Sequence, residues 1–158
     1  MAKTEIELNF RIDDLPEGYQ NKSPQLNNSE LVYYRARCYA GADREVLLVL
    51  FLNSKNHEIK LETHSIGAVD SSAVYPREIF RSALLCNASS FIMIHNHPSG
   101  DPEPSLCDKL ITKDCVYAGK KMGILVLDHL ILGANNTYFS FADHGLIEEY
   151  GLSTKDER

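Results

Sequence analysis

Hydrophobic positions along the chain alternate, cluster and recur with periods that divide it into elements. Residues 4–12 place Ile6, Leu8, Phe10 and Ile12 on one face and Glu5, Glu7, Asn9 and Arg11 on the other, the pattern of a half-buried strand. Asp13 to Asn28, rich in Pro, Gly, Asn and Gln, has no period and is expected to be a surface loop. Ser29 with Glu30 behind it predicts a helix start, with Leu31, Tyr34 and Cys38 as its inward stripe and Gly41 as its stop. From Glu45 to Leu52 the chain is apolar on both faces, which predicts a central strand covered on each side. A turn at Asn53-Ser54-Lys55-Asn56 leads into an alternating strand over 58–64, making a hairpin, and 65–72 reads as loop. Pro76 suits a first helical position, and Ile79, Phe80, Ala83 and Leu84 carry that helix toward Asn87. A short buried strand over 90–94 then delivers His95. Ser105 to about Met122 reads as a long helix with Cys107, Leu110, Ile111, Cys115, Ala118 and Met122 inward and Gly123 at its end. Ile124–Leu132 is a strand, Asn135-Asn136 a turn, Thr137–Phe141 a return strand, and Ile147–Arg158 a helix and tail. The chain thus divides into an N-terminal strand and surface loop (1–28), a main domain (29–142) and a polar C-terminal tail (143–158).

Composition narrows the picture. The 158 residues suffice for one domain with a real core, and 44% hydrophobic and 24% charged content are ordinary globular values. No stretch is apolar for long enough to cross a bilayer, and the N-terminus lacks a basic region followed by an apolar block, so a cytoplasmic location is expected. Cys38, Cys86, Cys107 and Cys115 are widely spaced and read as buried thiols. A formal net charge of −6 argues against nucleic acid as a partner.

The candidate chemistry lies between His95 and Asp108. His95 and His97, one residue apart, point to the same side of an extended backbone and can reach one metal ion. Pro98, Gly100, Pro102 and Pro104 force a loop before regular structure resumes at Ser105. Such a loop can return Asp108, one turn into the next helix, to the two imidazoles as a third ligand. Three N/O ligands with an open position for water are the arrangement of a catalytic zinc. His₂Asp also suits iron, manganese or nickel. A His-x-His pair alone is a weak signal. Here it is followed by seven residues, Ser105, two residues and Asp108.

That spacing resembles the signature of the JAMM (JAB1/MPN/Mov34) metalloenzymes. His95-Asn96-His97-Pro98-Ser99-Gly100-Asp101-Pro102-Glu103-Pro104-Ser105 is similar to their bacterial RadC branch. So are Arg44-Glu45 before an apolar run, Phe51-Leu52-Asn53-Ser54-Lys55-Asn56, Gly67, the Tyr75–Arg81 segment and Leu127-Asp128-His129-Leu130-Ile131-Leu132-Gly133, so that roughly residues 29–142 are covered. The resemblance implies a single α/β domain of JAMM/MPN type, a curved mixed sheet flanked by helices in a cytidine-deaminase-like architecture, with Zn2+ at its edge. It further implies a metallopeptidase or isopeptidase cleaving an amide bond in a peptide or protein substrate. Glu45 matches the family's proton-shuttling Glu, with Glu78 as the alternative. Ser105 matches the family's oxyanion-stabilising Ser, and also reads as a capping box with Asp108.

Other polar residues carry smaller expectations. Asn96 and Ser99 either bond a substrate or stabilise the loop. Asp128 and His129 face opposite ways, so at most one of them points at the metal. His57, His64 and His144 read as solvent-exposed. Arg77 and Arg81 form either a carboxylate site or a solvated helix face. A different class of function is a DNA-repair accessory or binding module without hydrolytic activity. Against it stand the acidic charge and the expectation that this chain lacks the helix-hairpin-helix region of longer RadC-like proteins. A third reading is an inactive scaffold.

Overall fold

The apolar run after Glu45 forms strand β1 (Val46–Leu52), buried at all seven positions because it is paired on both edges and covered on both faces. A computed structural model describes residues 25–67 and 74–152. The strand expected over 4–12, most of the loop after it, the chain after Gly67 up to Ala73 and the tail after Leu152 lie outside the described residues. Among the described residues the strands make one sheet in the order β2-β1-β3-β4-β5, with β2 at Glu58–Ile66, β3 at Ser90–Asn96, β4 at Leu125–Leu132 and β5 at Tyr138–Ser140. β3 and β4 are parallel and the other neighbours antiparallel, so the sheet is mixed. The parallel pair requires a crossover, supplied by helix α3 (Leu106–Met122).

Strand periodicity splits the core into two layers. Leu47, Val49, Phe51, Phe91 and Met93 pack against helix α2 (Pro76–Leu85) and α3 through Ile79, Phe80, Ala83, Cys115 and Val116. On the opposite face Leu48, Leu50, Ile92, Ile94 and Leu130 meet helix α1 (Ser29–Ala36) through Leu31, Val32 and Tyr33. Helix α4 (Leu146–Leu152) sets Ile147 and Tyr150 against the first layer. This is the single α/β domain with a mixed sheet and flanking helices that the sequence implied. Among the described residues no helix is long and apolar enough to cross a membrane.

Several expectations need correction. Asn28, not Ser29, caps α1, its side chain accepting the Leu31 N–H at 2.9 Å. The helix tightens into a 3-10 turn at Arg37–Gly41, which changes its phase and leaves Cys38 exposed while Leu31, Val32, Tyr33 and Ala36 are buried. Leu84 on α2 is exposed, as are Leu110 and Met122 on α3. The buried stripe of α3 is instead Asp108, Thr112, Cys115, Val116 and Gly119. Two of its leading positions are polar, so a reading of apolar periodicity assigns the wrong face. Only Cys115 is a buried thiol, its pKa pushed up to about 12 by that burial.

The loop after β3 is seated on the end of β4. His97 N donates to Leu132 O at 3.1 Å and Ala134 N to Gly100 O at 2.8 Å. Gly133 allows this approach: a Cβ there would lie 2.5 Å from Thr137 Oγ1 and 2.8 Å from both Gly100 O and Pro102 Cδ. Gly133→Ala is therefore expected to lower stability by about 1–3 kcal/mol in urea unfolding. Gly41→Ala, where an added Cβ meets nothing within 4 Å, serves as the control. Equal midpoints for the two would show that the loop is not clamped at Gly133.

Candidate metal centre

Alternation along β3 turns Phe91, Met93 and His95 toward α3 and Ile92, Ile94 and Asn96 toward α1. His97, just past the strand end, returns to the α3 side, its Nε2 3.0 Å from His95 Nε2. The first turn of α3 brings in Asp108, with Oδ1 3.2 Å from His95 Nε2 and Oδ2 3.4 Å from His97 Nε2. Glu45 stands at the head of β1, which runs antiparallel beside β3, and its Oε1 lies 3.7 Å from His95 Nε2. One ligand atom from each of the four lies within 4.8 Å of the others. The cluster sits at the ends of the two central strands, not at a lateral edge of the sheet, because the histidines end β3 and β3 is the middle strand.

The donor set fits the metal that the resemblance implies. Ligands about 2.0–2.2 Å from a tetrahedral zinc are about 3.3–3.6 Å apart. The three spacings among His95, His97 and Asp108 run from 3.0 to 3.4 Å. Four electron-rich atoms this close also call for positive charge among them, whether protons or a cation. Burial by itself would raise the Asp108 carboxyl, but hydrogen bonds from His95 and His97, the charge of His95 and the Ser105 hydrogen bond hold it far below the usual carboxylate range. His97 is raised, chiefly by its hydrogen bond to Asp108, against the opposing effect of burial. Asp108 is thus held in its ionised form, and a cation entering the cluster would compete with the proton on His97.

Supporting residues fix these four. Ser105 caps α3: its Oγ accepts the Asp108 N–H at 3.1 Å, while its N–H and O–H both donate to Asp108 Oδ2 at 2.7 Å. The capping box foreseen in the sequence is therefore present, and it orients the carboxylate. Asn96 is buried on the far face and bonds backbone, accepting Val46 N–H at 2.8 Å and donating to Arg44 O at 3.0 Å, which brackets Glu45. Ser99 accepts the Asp101 N–H within the loop at 3.3 Å. Asp128 and His129 face opposite sides, as expected. His129 Nε2 lies 2.8 Å from His95 Nδ1, with Thr112 Oγ1 2.6 Å from its other ring nitrogen. Sequence reasoning did not single out Thr112; its one signal was lying four residues after Asp108 on the same helix face.

Residues outside the cluster are equally plain. Glu78 is exposed beside Arg77 at 3.3 Å and is not brought to the cluster. Arg77 lies over the Tyr75 ring and Arg81 is exposed. His144 is exposed and His57 half-buried, but the His64 side chain is only 8% exposed, a correction. It packs near Phe51, and burial lowers its pKa.

Residues 26–146 match the model of the RadC-like JAB domain. The chain is 51% identical over 105 residues to a UPF0758 protein of Haemophilus influenzae (strain PittEE), covering 66% of this chain and 47% of that protein. Over 104 residues it is 47% identical to a UPF0758 protein of Methanosarcina acetivorans, covering 66% and 45%. With a UPF0758 protein of Pasteurella multocida it shares 39% identity over 121 residues, covering 77% and 54%. The chain spans about half the length of the curated relatives it matches.

Two outcomes are expected from this geometry. Zinc titrated into metal-free protein should release protons and bind more weakly as pH falls, because protonation of His97 competes with it; His97→Ala and Asp108→Asn should abolish stoichiometric uptake by calorimetry. Separately, burial raises the Asp128 carboxyl to about 6 from 3.8, outweighing its hydrogen bonds from Ser140, Ala142 and His129. Between those values the folded chain holds a proton that the unfolded chain has released, so stability falls as pH rises through the window, by up to about 3 kcal/mol. A thermal series from pH 4 to 7 should show this slope in the wild type and lose it in Asp128→Asn.

Proposed function

Because the chain belongs to the RadC-like JAB domain family, we propose that it is a zinc-dependent hydrolase that cleaves an amide bond in a peptide or protein substrate. The observation that carries the proposal is the convergence of His95, His97 and Asp108 with Glu45 beside them. His95, His97 and Asp108 would hold the ion. When bound, zinc supplies a Lewis acid and a water whose pKa is lowered to about 7. Glu45 is the proton carrier. Its Oε1 is farther from His95 Nε2 (3.7 Å) than Asp108 Oδ1 is (3.2 Å), which suits a group beside the ligand set. There Glu45 takes the proton of the attacking water and returns it to the leaving amine.

Ser105 has two tasks in this reading. Its hydroxyl steadies Asp108 in the resting state, as the 2.7 Å hydrogen bond indicates. Being exposed, it can turn the same proton toward the oxyanion that develops on a substrate carbonyl. His95 and Asp108 exclude water from the rear of the site, since both are almost fully buried.

The test separates metal holding from proton transfer. Zinc-loaded wild type, Glu45→Gln and His97→Ala are incubated with a library of peptides and isopeptides, cleavage is followed by mass spectrometry, and zinc content is measured in parallel. Glu45→Gln should keep stoichiometric zinc and lose cleavage by about 100-fold or more, whereas His97→Ala should lose both. Equal cleavage by all three proteins would discard the mechanism.

A further inference from the structure

We infer that Thr112 and His129 form a directional hydrogen-bond relay that fixes the tautomer of His95, which makes His129 a positioning residue for the metal centre. The inference rests on the metal reading given above. Its logic starts from the Asp108 backbone carbonyl, a group that can only accept. Thr112 Oγ1 lies 2.5 Å from it and so must spend its one proton there. With that proton committed, the hydroxyl oxygen can only accept, and His129 Nδ1 at 2.6 Å therefore carries the hydrogen between them. The reverse assignment would set two acceptors face to face at the Asp108 carbonyl with no hydrogen between.

The relay then continues into the site. The His129 ring nitrogens face Thr112 and His95, neither of them an anion, so the ring carries one proton and its Nε2 is bare. At 2.8 Å that atom accepts from His95 Nδ1–H. His95 Nε2, which shares a proton with Asp108 in the metal-free site, is thereby the ring nitrogen left to meet an ion among Asp108, His97 and Glu45, as a metal ligand requires. His97 reaches the same state by a shorter route, since its Nδ1 lies 2.7 Å from Asp101 O, which also only accepts.

The two routes differ because the rings sit differently. His97 lies in the loop, where a backbone carbonyl is at hand. His95 lies inside β3 with its Nδ1 facing β4, where main-chain groups are committed to the sheet, so two side chains are needed to connect it to the Asp108 carbonyl in the first turn of α3. His95, His129 and Thr112 are each at most 1% exposed, and no bulk water competes for these bonds.

Thr112→Val removes the hydroxyl with little change of shape, and Thr112→Ser keeps it. Nitrogen-15 NMR of the imidazoles in metal-free protein should show a proton on Nδ1 of both His95 and His129 in the wild type. Thr112→Val should give His95 a mixture of tautomers and weaken zinc binding, measured by chelator competition, by about 10- to 100-fold; Thr112→Ser should restore both. A wild type with His95 Nδ1 bare, or a Thr112→Val protein with unchanged Nδ1 protonation and zinc affinity, overturns the relay. Should Thr112→Val not fold, His129→Phe read by the same two measurements decides, with unchanged zinc affinity overturning the inference. A wild type showing the expected tautomers but taking up no zinc would fail the metal reading and leave the relay standing.

Discussion

The candidate site depends on one constraint, the period of two along β3. Because successive side chains of a strand face opposite ways, His95 and its neighbour Asn96 are committed to different layers. His95 looks toward α3 and meets the carboxylate at that helix's first turn. Asn96 looks toward α1 and bonds the backbone on either side of Glu45. Two adjacent residues thus set both halves of the cluster, one as a donor atom and the other by anchoring the strand that carries the fourth member. A one-residue slip of β3 would bury the histidines among leucines and turn the amide toward the helix.

Charge explains why this arrangement belongs at a helix start. A buried carboxylate is costly unless its lone pairs are answered. Asp108 sits where the N–H groups of α3 are unpaired and the helix dipole is positive. The Ser105 cap adds two donors to Oδ2, and the imidazoles face the remaining directions. The local conformation and the chemistry therefore ask for the same residues: Ser105 and Asp108 make a good helix start, and a good helix start holds a carboxylate rigidly.

Much of this was legible in the chain itself. The apolar run of β1, the hairpin into β2, Pro76 at the head of α2 and Gly123 at the end of α3 each left a local signal that the fold follows. The His-x-His, Ser and Asp spacing located the cluster, because strand and helix-cap geometry act within a few residues. What stayed hidden was non-local. The inward face of α3 begins with Asp108 and Thr112, polar because of what they meet across the sheet, so hydrophobic period pointed to Leu110 and Met122 instead. Which of Asp128 and His129 would face His95 depended on a shift in the β3–β4 register that no local pattern records. His64, polar and near a loop, has its side chain covered beside Phe51 of the neighbouring strand, a pairing that no local pattern records.

Exposure around the cluster is uneven, and that unevenness separates a closed pair from an open one. The side chains of His95 and Asp108 are 1% and 3% exposed, whereas those of His97 and Glu45 are 16% and 21% exposed. Ser105 is exposed as well. A molecule from solvent therefore reaches the cluster from the side where Glu45, His97 and Ser105 stand, before it meets the closed pair. In the hydrolase reading proposed above, two ligands buried behind and a carboxylate open in front suit water-dependent bond cleavage, since the attacking water must be replenished while the rear donors keep their geometry. Rigidity at the back comes from β3 and α3; access at the front comes from the seated loop and the head of β1.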